Sequence, residues 1–260
     1  MKKIVILTIV VLVVFIVLYP RFKKSNLIVD TPSNSSTSDT ITSFPSNLSV
    51  TPSFAVDKNN ISYVTVRNIE KIELYTNLGE SKTSFDFKEF NSCIYLTSGG
   101  FYGEDNKHIG LFVSKGNVIN KSSISPTFNG FFSISNNNMA SISYNEPQNP
   151  EYAVQSGPML YVNSEPLALK IKNDERARRV VVAINRLGHA IFIVFYNPSQ
   201  TLDGPLLSEL PELLSGLEKN TNLDFEYAMN LDGGAHSTFI TDSLKLTELS
   251  TAGGYFCIKP

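Results

Sequence analysis

Short runs of β-branched and aromatic residues, each closed by a polar or glycine-bearing turn, restrict this chain to a fold built mainly from sheet. Ile61 to Tyr75 alternates in the manner of a strand, and Ser92–Leu96, Ile109–Val113, Gly130–Ile134, Met159–Val162, Val180–Ile184 and Ala190–Phe195 follow. Runs this short, and this rich in stiff branched side chains, suit pleated strands better than helices. Arg186-Leu187-Gly188-His189 separates two of them at hairpin spacing, and Lys115-Gly116-Asn117 predicts a second hairpin. One helix is clear: Leu206, Leu207, Leu210, Leu213, Leu214 and Leu217 recur at three and four. Ser208 or Asp203 is placed to cap it, and Pro211 fits only a first turn. Its leucine stripe should lie on the sheet. The expected class is α+β, a mixed, mainly antiparallel sheet with few packed helices, spanning residues 58–260, plus an N-terminal membrane helix.

That membrane helix rests on Ile4 to Tyr19, an apolar run interrupted only by Thr8 and bracketed by Lys2 and Lys3 before it and Arg21, Lys23 and Lys24 after it. At 1.5 Å per residue the run covers roughly 24 Å, and snorkelling basic side chains extend it toward the roughly 30 Å of a hydrocarbon core. Its shortness also fits a cleaved signal peptide. The absence of a small-x-small site at its end favours an uncleaved signal anchor over residues 1–24. Flanking charge is nearly balanced and does not fix orientation. Residues 25–57 read as a linker, because Asp30 to Ser53 is dominated by Ser, Thr and Pro and contains no Lys or Arg.

Composition removes several functional classes. The 22 Lys and Arg residues against 24 Asp and Glu leave a formal charge of −2, so nothing supplies the phosphate neutralisation that nucleic-acid binding requires. Two cysteines, Cys93 and Cys257, are too few for a disulfide framework and lack zinc-site spacing. They read as two buried thiols, with one long-range disulfide left open for an exported domain. Walker A, GxGxxG, HExxH, GxSxG and EF-hand patterns are all missing. No metal or cofactor is expected.

What remains is a set of three glycine-dense turns beside apolar strands. Thr97-Ser98-Gly99-Gly100-Phe101-Tyr102-Gly103-Glu104-Asp105 follows a strand and ends it in residues small enough to bring backbone N–H groups close to a ligand. Gln155-Ser156-Gly157-Pro158 places a polar pair and a Gly-Pro corner before another strand. Asn230-Leu231-Asp232-Gly233-Gly234-Ala235-His236-Ser237-Thr238 puts a carboxylate at a strand end, followed by two glycines and a hydroxyl-rich run. Each alone fits a structural turn. Together, Asp232, His236, Ser237 and Thr238 around backbone donors make a cradle for an oxyanion.

In this order along the chain, these elements resemble the phosphodiester glycosidase family. Ser98 to Gly116 is similar to that family's Asn-Ala-Gly-Phe/Met-Phe/Tyr turn and following Gly-Leu strand, and Phe128 to Ile134 to its next strand. Gln155 to Leu160 is similar to its Gln-Ser/Gly-Gly-Pro-x-Leu element. Arg179 to Ala183 resembles its Arg-Thr-Ala-x-Gly strand, and Asn230 to Thr238 its Leu-Asp-Gly-Gly-Gly-Ser-Ser-Thr turn. The likeness covers roughly residues 90 to 258. Ser98 stands where the family's turn has Asn, Ala183 and Ala235 replace glycines, and His236 replaces a Ser.

The resemblance implies hydrolysis of a sugar-1-phosphodiester, in an envelope or exopolysaccharide glycan, by a domain held outside the cytoplasm. Such a reaction builds oxocarbenium character at the anomeric carbon while a phosphate departs. A phosphate is a good leaving group, so less is asked of a proton donor and more of charge stabilisation than in ordinary glycosidases. On the resemblance, Asp232 is the nucleophile or general base and Arg179 a bidentate phosphate clamp. Ser98, Gly99, Gly100, Gln155, Ser156, Gly157, Gly233, Gly234, His236, Ser237 and Thr238 are the substrate-binding candidates. Two other readings stand beside it: a tethered module that binds a phosphoglycan without turnover, and a metal-dependent phosphodiesterase using Asp232, His236 and Asp242.

Overall fold

A computed structural model of the chain describes residues 48–56 and 59–260. The apolar run from Ile4 to Tyr19 lies outside them, as does the linker up to residue 47. Among the described residues no helix is long and apolar enough to cross a membrane.

Three antiparallel sheets make up the domain. The largest has the order β1 (Leu48–Val56), β2 (Asn59–Val66), β13 (Ala190–Tyr196), β12 (Arg179–Asn185), β14 (Phe225–Asn230), β10 (Met159–Val162), β11 (Glu165–Pro166). The second runs β16 (Lys245–Leu246), β15 (Phe239–Ile240), β4 (Tyr95–Ser98), β17 (Gly254–Ile258), β3 (Ile72–Thr76). The third runs β6 (Asn117–Asn120), β5 (Phe112–Ser114), β9 (Tyr152–Ser156), β7 (Gly130–Ile134), β8 (Ala140–Ser143). Every pairing between these strands is antiparallel, so the expected α+β class stands and the mixed element of the sheet does not.

β12 and β13 explain why their sequences are apolar throughout. Val180, Val182, Ile184, Phe192 and Val194 face a central core shared with Leu74, Tyr95 and Phe256 of the second sheet and Phe112, Phe132 and Val154 of the third. Val181, Ala183, Ile191, Ile193 and Phe195 face the other way, onto Leu210, Leu214 and Leu217 of helix α2 (Leu210–Lys219). A strand covered on both faces has no polar side to show. Each of the three leucines is fully buried, worth roughly 2 kcal/mol apiece in apolar transfer. Pro211 sits in the first turn of α2, as its missing N–H requires.

Four details depart from the sequence reading. Ile61 to Tyr75 is two strands, β2 and β3, in different sheets, divided by a 3-10 turn at Ile69–Lys71. A short helix, α1 (Ser84–Phe90), stands where none was expected. The cap on the α2 entry is neither Ser208 nor Asp203: Asp174 accepts from the N–H groups of Leu207 and Ser208 at 3.0 and 2.8 Å. The folded domain also begins before residue 58, because Leu48–Val56 pairs along β2, with its register shift between Thr51 and Phe54. Pro52 lies inside that shift, on an edge strand, where a missing donor costs no ladder bond.

The two cysteines are not thiols. Cys93 and Cys257 form a disulfide, Cα atoms 5.3 Å apart, under the small cluster of Phe87, Leu96, Ile240 and Tyr255.

Candidate functional site

The end of β14 is where the three glycine-dense turns meet. Leu231 N–H continues the ladder to Val180 O at 2.8 Å, and the chain then leaves the sheet at Asp232. Asp232 N–H donates to Gly99 O at 3.2 Å, and Ser98 Oγ donates to Asp232 O at 3.0 Å. The second turn closes the other side. Gly157 N–H and Ser156 Oγ both donate to Asn230 O, at 3.0 and 2.7 Å, while Asn230 Nδ2 donates to Gly157 O at 3.0 Å. Three segments far apart in sequence are thereby tied to the backbone of Asn230–Asp232.

Asp232 is 5% exposed. Burial pushes its pKa up to about 8, with the Gly233 N–H as the opposing hydrogen bond. The hydroxyl of Tyr102 lies within its field: burial first, and the Asp232 charge second, raise the Tyr102 pKa. Tyr102 in turn meets His236. Tyr102 Oη is 2.9 Å from His236 Nδ1 and 2.6 Å from Thr251 O, and the two rings stand edge-on with centroids 5.2 Å apart. His236 is carried by the 3-10 turn Gly234–His236 and is half-buried.

The turn itself depends on two glycines. A Cβ on Gly233 would come within 2.7 Å of Arg178 O, and Gly234 has φ +62°, the left-handed region that side chains resist. Gly234 N–H donates to Arg178 O at 2.8 Å and Ser237 N–H to Gly234 O at 3.2 Å. Two donors of the expected cradle are thus already used within the chain.

The arginine chosen from sequence is not the one at the turn. Arg179 has the parity of Val181, so its side chain lies on the helix-covered face of the sheet. There it donates to Pro205 O and Glu175 O, with Nη2 3.6 Å from Asp174 Oδ1. Burial works against ionisation of Asp174, yet the Ser208 and Leu207 N–H groups and the Arg179 charge hold its carboxyl below the usual value. Arg179 therefore steadies the α2 cap instead of facing Asp232 as a clamp. Arg178, the neighbour with the opposite parity, is the one at the turn. It is fully buried and donates from Nε to Ser237 Oγ at 2.7 Å, from Nη1 to Thr201 O at 3.2 Å, and from Nη2 to Ser237 O and Thr247 O. All four acceptors are neutral, and burial lowers its pKa to about 10 against the pull of Glu248.

Several binding candidates are likewise occupied. Gln155 accepts from Leu111 N–H and Ser123 N–H, both at 3.0 Å, and donates to Ser123 O and Phe128 O at 2.6 and 2.8 Å. That exhausts its amide. Ser237 Oγ donates to Gly234 O at 2.6 Å and Thr238 Oγ1 to Leu246 O at 2.9 Å. Gly100 is pressed against Val154, whose Cγ2 would lie 2.4 Å from an added Cβ. These residues build the frame around Asp232, and Asp232 and His236 are the groups left with chemistry to offer. Tyr102, Arg178 and Asn230 join the frame without having been chosen from sequence. Tyr102 and Asn230 lie inside the turns singled out there, and Arg178 differs from the chosen arginine by one position. A cavity of about 240 Å³ between Val113, Val118 and Pro147 opens on the third sheet and shares no residue with this frame.

Among solved structures, the zebrafish N-acetylglucosamine-1-phosphodiester alpha-N-acetylglucosaminidase catalytic domain, auto-inhibited by its pro-peptide, is similar with a TM-score of 0.62 at 15% identity, over 82% of each chain. A protein from Synechocystis is similar with a TM-score of 0.53 at 12% identity, over 82% of this chain and 62% of that one. A protein from Burkholderia pseudomallei follows at 0.50 and 10%, over 78% and 74%. At these identities the likeness is one of fold. No curated protein matches the sequence significantly. The sequence pattern of the phosphodiester glycosidases, by contrast, matches residues 91–254, which include all three turns and the Asp232 frame. The chain belongs to the phosphodiester glycosidase family.

Proposed function

We propose that the protein hydrolyses the bond between a sugar's anomeric carbon and a phosphodiester, in an envelope or exopolysaccharide glycan, from a membrane-anchored position outside the cytoplasm. The observation that carries the reading is the buried Asp232 carboxyl at the meeting point of three turns, in a member of a glycosidase family acting on phosphodiesters. Asp232 acts at the anomeric carbon in its ionised form. A dry, fixed carboxylate stabilises a developing oxocarbenium ion better than a hydrated one, since fewer competing dipoles surround it. The departing phosphate carries its own negative charge away and needs no acid.

Placement outside the cytoplasm is supported by the Cys93–Cys257 disulfide, since such bonds persist in oxidising compartments. The apolar run Ile4–Tyr19 supplies the anchor in this reading. The test is release of UDP from UDP-N-acetylglucosamine, and of phosphomonoesters from simple sugar-1-phosphodiesters, by the full-length chain and by Asp232→Asn. The expected result is release by the first and none by the second. A glycan bound equally by both, with no sugar freed by either, would replace the enzyme with a binding module.

A further inference from the structure

The Tyr102–His236 pair holds a proton in a known place. A tyrosine hydroxyl has one proton to donate. Tyr102 Oη lies 2.6 Å from Thr251 O, and a carbonyl can only accept, so that is where the proton goes. Toward His236 Nδ1, 2.9 Å away, the hydroxyl then offers a lone pair, and Nδ1 must carry the hydrogen. In the neutral ring the lone pair is left on Nε2. Among the described residues no side chain or carbonyl holds Nε2, and the ring is half-buried on the turn that starts from Asp232.

A lone pair presented there answers a need in the reaction proposed above, on which this inference rests. If Asp232 attacks the anomeric carbon, the phosphate leaves unaided, but the resulting glycosyl ester must still be opened by water. Water is a weak nucleophile until a base takes its proton. Asp232 is then esterified and cannot serve. We propose that His236 is the base for that second step, and that Tyr102 is a positioning residue that fixes His236 as the Nδ1–H tautomer with Nε2 facing the water.

The two steps balance. In the first, an oxygen of Asp232 bonds to the anomeric carbon while the carbon–oxygen bond to phosphate breaks, its electron pair leaving on the phosphate. In the second, a water oxygen bonds to the same carbon, a water proton passes to His236 Nε2, and the ester bond breaks with its pair returning to the Asp232 carboxylate. The imidazolium then returns its proton to solvent.

The experiment has two arms on the full-length protein. In the first, ¹⁵N-histidine labelling reads the tautomer directly. The expected spectrum shows a His236 Nδ1 bearing hydrogen in the wild type and a loss of that bias in Tyr102→Phe. A wild-type His236 protonated at Nε2 alone overturns the proposal, whatever the activity. In the second arm, UDP release from UDP-N-acetylglucosamine is followed from the first turnover. His236→Ala should give a burst of about one UDP per chain and then turnover slowed about 100-fold or more. Azide, which needs no base, should restore turnover and yield the glycosyl azide. Tyr102→Phe should slow the steady state about 10-fold and keep the burst. A His236→Ala protein that turns over like the wild type, or that loses the burst along with turnover, overturns the base while leaving the hydrolase reading standing. A wild type that releases nothing overturns that reading and the base with it.

Discussion

Arg178 Nε donates to Ser237 Oγ across 2.7 Å of fully buried space, and Ser237 Oγ donates on to Gly234 O at 2.6 Å. The guanidinium thus sets the shape of the Asp232 turn from behind. Replacing it with Met leaves the carbonyls of Thr201, Ser237 and Thr247 unpaired, and unfolding by urea should show a loss of about 3–5 kcal/mol. Arg178→Lys should fall close to the same value, because an ammonium cannot match a planar fork of acceptors. Arg179→Ala, which loosens the Asp174 cap and removes the donor to Pro205 O and Glu175 O, should cost about 1–2 kcal/mol. Equal losses at the two positions would refute this division of roles.

Asp232 makes the site unstable in proportion to its ionisation. Its carboxyl ionises near 8 when folded against 3.8 ordinarily, because burial disfavours the charge. The folded state therefore holds this proton more tightly. The penalty is absent below about pH 4, grows with pH and is complete above about 8. Asp232→Asn should be inactive, yet more stable than the wild type at pH 7 by on the order of a few kcal/mol, with the difference vanishing near pH 4. Thermal unfolding at several pH values checks it. On the proposed role of Asp232, in which the ionised form acts, wild-type turnover should also rise with pH toward 8.

How much of this was legible beforehand divides along physical lines. The β12–β13 hairpin was visible because both faces of each strand are covered, so the apolar run is continuous. That same continuity hid which arginine faces the turn: neighbours on a strand point to opposite sides, and nothing in an all-apolar pattern fixes the parity. The α2 stripe was readable from local spacing, but its cap comes from Asp174, 33 positions before Leu207. Leu48–Val56 alternates, but it does so inside a tract whose Ser, Thr and Pro content reads as unfoldable. Gln155 looked like a ligand contact because it is polar beside glycine, and its four partners at 111, 123 and 128 exist only once the third sheet is folded.

The Cys93–Cys257 bond closes a loop with a sequence separation of 164 between β17 and the residue leading into β4. Cross-linking positions so distant removes much freedom from the unfolded chain, up to about 5 kcal/mol in the chain-entropy account. Paired Cys93→Ser and Cys257→Ser substitutions, or reduction by dithiothreitol, should lower the urea midpoint accordingly. An unchanged midpoint in the paired variant would mean that the cluster of Phe87, Leu96 and Tyr255 holds this corner alone.

His108 supplies a pH response of opposite sign to Asp232. Its ring is stacked on Phe112 at 3.7 Å, Nε2 is 2.9 Å from Thr76 Oγ1, and Nδ1 is buried without a partner. Burial lowers its pKa from 6.5 to about 4. The unfolded chain therefore takes up a proton that the folded one refuses, and stability falls as pH drops from about 6.5 to about 4. His108→Gln keeps a polar atom for Thr76 and removes the titration. Subtracting its stability curve from that of the wild type should leave a difference that is flat above about 6.5 and slopes against the wild type below it. Asp232 cancels in the subtraction, since it titrates alike in both proteins, and a flat difference down to pH 4 would show that the ring is neither as dry nor as constrained as its stacking on Phe112 implies.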